Sequence, residues 1–138
     1  MVKSNRKDPE YDFEEFRKAC RKKQNTVFIL PKAQKDAGDF FNLRTRTQLL
    51  DFISNHGLEE LKFINKKKWE KNPDKQNVVM VDAYEFRSRF KLGYIAFMYN
   101  PKTQKWIIKS FHPSENTNPT MMFALAKAGL LTQEKSDG

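Results

Sequence analysis

The chain has 138 residues, with 26 Lys and Arg against 17 Asp and Glu, a net charge of +9, a pI near 9.7 and 13% aromatic residues. That is enough chain to bury one core without disulfides or metal, and too aromatic for a disordered basic tail. The single Cys20 cannot form an internal disulfide, no apolar run approaches the roughly 18 residues of a membrane span, and no apolar leader follows Met1, so the expectation is one cytoplasmic domain, free-standing or excised from a larger protein.

A folded basic domain of this kind meets nucleic acid, an anionic membrane surface or an acidic protein. Residues 1–9 are charged and without periodicity, and read as a flexible N-terminus. A first helix follows, with Asp12 and Glu15 in a capping-box arrangement and Phe13, Phe16 and Cys20 as its apolar stripe. Arg17, Lys18, Arg21, Lys22 and Lys23 occupy the rest of its surface, where cations near the C-terminus complement the helix dipole. Thr26 to Leu30 is a short strand that Pro31 ends. The polar run from Lys32 to Phe41 reads as a loop, with a turn or close backbone approach at Gly38.

Arg44 to Asn55 is expected to be the second helix, with Leu49, Leu50, Phe52 and Ile53 buried, Thr45 and Gln48 as its cap pair and Gly57 at C′. His56 at its end is a capping or surface histidine. Leu58 to Ile64 has weak strand character, and the charged connection after it carries Trp69, which either stacks on a base or lies on the core. Val78 to Phe90 is the longest strand, and its alternation puts Arg87 and Arg89 on one face as two parallel guanidinium groups suited to phosphates.

Gly93 to His112 reads as two strands joined at Asn100-Pro101-Lys102-Thr103, where proline pre-sets φ and the asparagine side chain can close the turn. Three consecutive strands therefore make an antiparallel meander. Lys102, Lys105 and Lys109 on its rim are either phosphate ligands or solvated positions that guard a sheet edge. Pro113 ends the sheet, and Asn118-Pro119 opens a last helix through Met121, Met122, Leu125 and Ala126 to Gly129, before a flexible tail over 132–138. The domain spans 10–131.

One cysteine and two distant histidines cannot supply a zinc tetrad, and no acidic loop has calcium spacing. There is no P-loop, dinucleotide-binding fingerprint or Gly-x-Ser-x-Gly elbow. RNA can be cleaved with no cofactor, because its own 2′-hydroxyl attacks the adjacent phosphate while the protein moves protons and stabilises the charged phosphorane. Histidine, lysine, arginine and serine around one phosphate suffice, and Lys109-Ser110-Phe111-His112 ends a strand with three of these types.

Two segments carry a family resemblance. Lys35-Asp36-Ala37-Gly38-Asp39-Phe40 resembles the Lys-His-Ala-Gly-Asp-Phe segment of the colicin D nuclease domain, and Tyr99-Asn100-Pro101-Lys102-Thr103 with Ile107-Ile108-Lys109-Ser110 resembles that domain's Tyr-Phe-Asn-Pro-x-Thr hairpin and Ile-Ile-Lys-Ser strand. The resemblance covers about Lys32 to Ser110. It implies an α+β fold, a twisted antiparallel sheet with helices packed on one face. It also implies a toxin endoribonuclease that cuts transfer RNA in its anticodon loop without metal, delivered from another cell within a larger toxin and neutralised by an acidic immunity protein.

The family's catalytic histidine falls on Asp36. The nearer of its two preceding lysines matches Lys35, and the farther meets Ala33, with Lys32 one place off. An ionised aspartate accepts protons and repels phosphate, and acts as an acid near neutral pH only with a strongly raised pKa. Either the chain is a disarmed nuclease or the chemistry has moved to His112 with Lys35, Arg87, Lys109 and Ser110. The candidate catalytic set is thus Lys35, Asp36, Ser110 and His112, and the candidate RNA-binding set is Lys32, Arg87, Arg89, Lys102, Lys105, Lys109 and Trp106. A non-catalytic RNA-binding module, or a basic domain docking an acidic protein, is the alternative. A third is docking of the first helix on an anionic membrane.

Overall fold

The computed structural model describes residues 8–22, 26–88 and 91–114. Along the chain run α1 (Phe13–Lys22), β1 (Val27–Ile29), α2 (Pro31–Phe41), α3 (Arg46–Ser54), β2 (Glu59–Lys68), β3 (Met80–Ser88), β4 (Lys91–Asn100) and β5 (Lys105–Pro113). The strands form one sheet in the order β1-β5-β4-β3-β2. β3 to β5 make the three-stranded antiparallel meander expected of them, β2 extends it antiparallel to β3, and β1 runs parallel to β5, with Val27 to Ile29 opposite Trp106 to Ile108, so the sheet is mixed. The helix expected over 118–129, the tail, residues 1–7 and Arg89 lie outside the described residues.

Strand alternation assigns the two faces. Tyr84, Phe86, Ile95, Phe97, Ile108 and Phe111 turn one way and meet Phe13, Phe16 and Cys20 of α1 and Leu49, Leu50 and Ile53 of α3. Phe16 stacks on Phe97 with ring centroids 4.0 Å apart. Each fully buried aromatic or aliphatic side chain here stabilises the fold by roughly 1.5–3 kcal/mol. Gly93 stands opposite Phe86 in the β3–β4 register, and a Cβ at that position would overlap the Phe86 ring, so glycine is required there. The second face is smaller: Val79, Val81, Ala83, Ala96, Met98 and Ile107, with Leu30, Ile64, Trp69 and Tyr94 packed against them. Trp69 therefore lies on the core.

Local signals set the element ends. Asp12 caps α1 by accepting a hydrogen bond from the Glu14 amide at 2.9 Å. Thr45 and Gln48 form the reciprocal capping box of α3. The Asn100 side chain closes the hairpin turn, accepting from the Lys102 amide at 3.0 Å. At the end of α3 it is His56, with φ 63°, that takes the left-handed position after the Asn55 cap, one residue before the expected Gly57.

The polar run from Lys32 to Phe41 is not a loop but the body of α2. Pro31 supplies a preset φ in the first turn, Ala33 and Ala37 repeat at i, i+4 and are fully buried, and Lys32–Asp36 and Lys35–Asp39 pair at the same spacing. Gly38 is a buried helical residue rather than a turn. The cations of α1 also have structural work: Arg17 is buried, pairs with Glu14 and donates to the Ile53 carbonyl, and Arg21 donates to that of Ser54. With Phe13, Phe16 and Cys20 in the core, α1 keeps no apolar face for docking on a membrane. No helix among the described residues is long and apolar enough to cross one.

Candidate functional site

β1 ends after three residues, and the Leu30 amide makes the last sheet contact, donating to the Ile108 carbonyl at 3.1 Å. Pro31 then turns the chain into α2, which packs against β5. Between α2 and the end of β5 opens a cleft of about 710 Å³ lined by Lys32, Lys35, Asp36, Asp39, Phe40, Ser110, His112 and Pro113. Lys35, Asp36, Ser110 and His112, far apart in sequence, thus share one cavity.

A β-bulge decides which residues of β5 face it. Ala96 pairs with Ser110 and Phe97 with Ile108, so Lys109 is the extra residue. Because side chains alternate with a period of two, an unbroken strand carrying Ile108 on the helix-packed face would put Ser110 and His112 there too. The extra residue sends Phe111 into the core and brings Ser110 and His112 to the second face.

Charge in the cleft is balanced. The Lys32 ammonium lies 2.9 and 3.1 Å from the two Asp36 carboxylate oxygens, and Lys35 lies 2.7 Å from Asp39. The hydrogen bond between the latter two raises the Lys35 pKa and lowers that of Asp39. Asp36 is buried while the Lys32 side chain that pairs with it is exposed, so the ion pair sits at the boundary between the protein and solvent. His112 Nδ1 lies 2.7 Å from the Pro113 carbonyl oxygen, an acceptor, which requires Nδ1 to carry the proton. The neutral ring then presents Nε2 as its base. Tyr94 stacks on His112 at a centroid distance of 4.9 Å and an interplanar angle of 16°, fixing the plane of the imidazole. Burial raises the Tyr94 pKa, so its hydroxyl stays protonated.

The remaining candidates disperse. Arg87 pairs with Glu60 at 3.4 Å, and Lys102 with Asp74 at 2.6 Å beyond the hairpin turn. Lys105 lines a separate hollow with Phe28 and Arg46 beside β1. Lys109 faces a groove across the second sheet face. Trp106 is not a free stacking platform: its ring packs against Tyr11, Phe16, Phe97 and Tyr99 at centroid distances between 5.0 and 6.0 Å. Sequence reasoning missed Phe40, 45% exposed at the cleft rim, and Tyr94 behind His112. The i, i+4 Lys–Asp spacing was the available signal for a helix, and hence for one face bearing Lys32, Asp36 and Phe40.

Comparison with known proteins gives no family for the chain: no family model, no curated protein and no solved structure matches it.

Proposed function

We propose that the chain is a ribonuclease domain of the colicin D type, acting on the anticodon loop of transfer RNA without metal, and that Asp36 leaves it disarmed. The observation that carries this reading is the convergence of Lys35, Asp36, Ser110 and His112 on one cleft between α2 and β5. In the reaction the 2′-oxygen forms a bond to phosphorus as the bond to the 5′-oxygen breaks, leaving a cyclic phosphate and a free 5′-hydroxyl. The 2′-hydroxyl gives its proton to His112 Nε2, Lys35 and Ser110 face the phosphorane oxygens, and the departing 5′-oxygen takes a proton from an acid at position 36. A carboxylate locked to Lys32 supplies no such proton, and it cancels a cation that would otherwise attract phosphate. An acidic immunity protein fits the net charge of +9 as its natural inhibitor.

The test is incubation of total transfer RNA, without added metal, with this protein and with its Asp36→His variant, read on a denaturing gel. Cleavage by the variant alone is the expected result. Cleavage by both would place the chemistry on His112 with Asp36 as it stands, and cleavage by neither would overturn the nuclease reading. Binding without chemistry is the second reading, favoured by the balanced charge of the cleft and by cations left unpaired elsewhere.

A further inference from the structure

The second sheet face bears a groove of about 320 Å³ whose walls are basic. Its floor is small: Ala83 pairs with Ala96, and Ala96 with Ser110, so three short side chains cross β3, β4 and β5 in one row. Asn65 and Lys67 of β2 stand opposite Ala83 and Val81 and continue the groove to the sheet edge. Lys68 and Lys71 border it there, and Lys109 borders it at the other end, beside Ser110. Glu70 is the one carboxylate among its lining residues.

Two features separate this groove from an ordinary solvated face. Lys32, Lys35, Lys66, Lys102 and Arg87 are each held by a carboxylate, whereas Lys67, Lys68, Lys71 and Lys109 form no ion pair with any described residue. The groove also adjoins the α2–β5 cleft: Tyr94 lines the groove and stacks on His112, which lines the cleft, and the bulged Lys109 is followed directly by Ser110.

We propose that this groove is a binding track for single-stranded RNA, in which Lys67, Lys68, Lys71 and Lys109 hold successive phosphates and deliver the strand over the Tyr94–His112 pair into the cleft. The track rests on the ribonuclease reading for its choice of RNA over another polyanion. It explains how a cleft whose own charges cancel would receive a polyanion: attraction comes from the sheet face, and the cleft only positions one phosphate. The row of alanines leaves room for backbone and sugar where larger residues would close the groove.

The experiment uses the full chain and a fluorescently labelled 2′-O-methyl RNA of roughly ten nucleotides, a length within the range a single small domain engages. The blocked 2′-oxygen prevents cleavage, so the readout is binding alone, measured by anisotropy over a series of salt concentrations. Two charge-matched variants are compared, Lys67→Gln with Lys109→Gln in the groove, and Lys18→Gln with Lys22→Gln on α1. The groove variant is expected to bind at least tenfold more weakly at low salt, with its log–log salt slope reduced by about 0.7 for each phosphate that the protein no longer neutralises. The α1 variant is expected to keep the parent slope.

Equal losses in both variants would mean that net charge alone attracts RNA and would overturn the track, as would no loss in either. A poly-glutamate peptide of matched charge that displaces the RNA fully would reassign the groove to an acidic protein. Loss of binding in the groove variant alone, together with an Asp36→His protein that cuts nothing, would keep the track and retire the nuclease. An Asp36→His protein that cuts transfer RNA equally well with the groove lysines removed would do the reverse.

Discussion

On α2 the carboxylate of Asp36 meets the ammonium of Lys32 one helical turn earlier, with both oxygens within 3.1 Å, and this pair occupies the wall of the cleft opposite Ser110 and His112. An ion pair at i, i+4 stabilises a helix by only about 0.2–0.5 kcal/mol, so its loss leaves the fold standing and changes the chemistry of the cleft.

Asp36→His is therefore expected to fold with an unchanged far-ultraviolet circular dichroism spectrum and to gain cleavage of transfer RNA. In that background His112→Ala should lower the rate by about 100-fold or more, the usual size of a lost general base. Rates retained within a factor of three would remove His112 from the mechanism.

Asp82 ties the start of the described chain to the sheet. Its fully buried carboxylate accepts hydrogen bonds of 2.9 Å from the amides of Glu10 and Tyr11. Asp82→Ala leaves those amides unpaired and is expected to destabilise the fold by about 1–3 kcal/mol, seen as a lower urea midpoint. Asp82→Asn, which keeps an acceptor oxygen, should lose less.

Burial raises the Asp82 pKa against the opposing pull of those amide hydrogen bonds. A carboxyl raised on folding binds its proton more tightly in the native state. Its contribution is then most favourable below the unfolded value and declines as pH rises through the folded one. The stability of the parent relative to Asp82→Asn should therefore increase as pH is lowered through the region just above the ordinary carboxylate range. A flat difference would contradict the assignment.

Cys20 has no exposed surface, and burial pushes its thiol up to about 12 against the smaller pull of Arg46 and Arg17. With so little thiolate it should be inert to a disulfide reagent at mildly alkaline pH and react at once in denaturant. Rapid reaction of the folded chain would show that the α1–α3 packing opens readily.

Two helix positions test backbone preference. A Cβ at Gly38 would meet Arg44 at 3.6 Å, an ordinary van der Waals distance, so Gly38→Ala should stabilise α2 by about 0.5–1 kcal/mol. His56, at φ 63°, should gain a similar amount as glycine. Thermal melts check both, with opposite signs overturning the respective backbone arguments.

The meander, the caps of α1 and α3 and the Asn100 turn are legible in the sequence because each depends on neighbours within a few residues. α2 reads as a loop when polarity is weighed above spacing: Ala33 and Ala37 are too small to announce a buried stripe, although the Lys–Asp pairs around them repeat at i, i+4. Ser110 and His112 can be named from their chemistry, yet the face they occupy depends on a bulge at Lys109 that only pairing with Ala96 and Phe97 reveals. Trp106 misleads for the opposite reason, since an indole among lysines can belong to the core when its surroundings supply four other rings.

β2 ends the sheet with no described strand beyond it, and its register slips twice along its length. An outer strand with open amides invites a second copy of the chain to add itself, and Lys62, Lys67 and Lys68 along this one repel such an approach. The lysines proposed to hold RNA would then also keep the protein dispersed. Preparations stripped of nucleic acid should remain monomeric at high concentration, while replacing those lysines with apolar residues should turn the margin of the sheet into a seam along which molecules join.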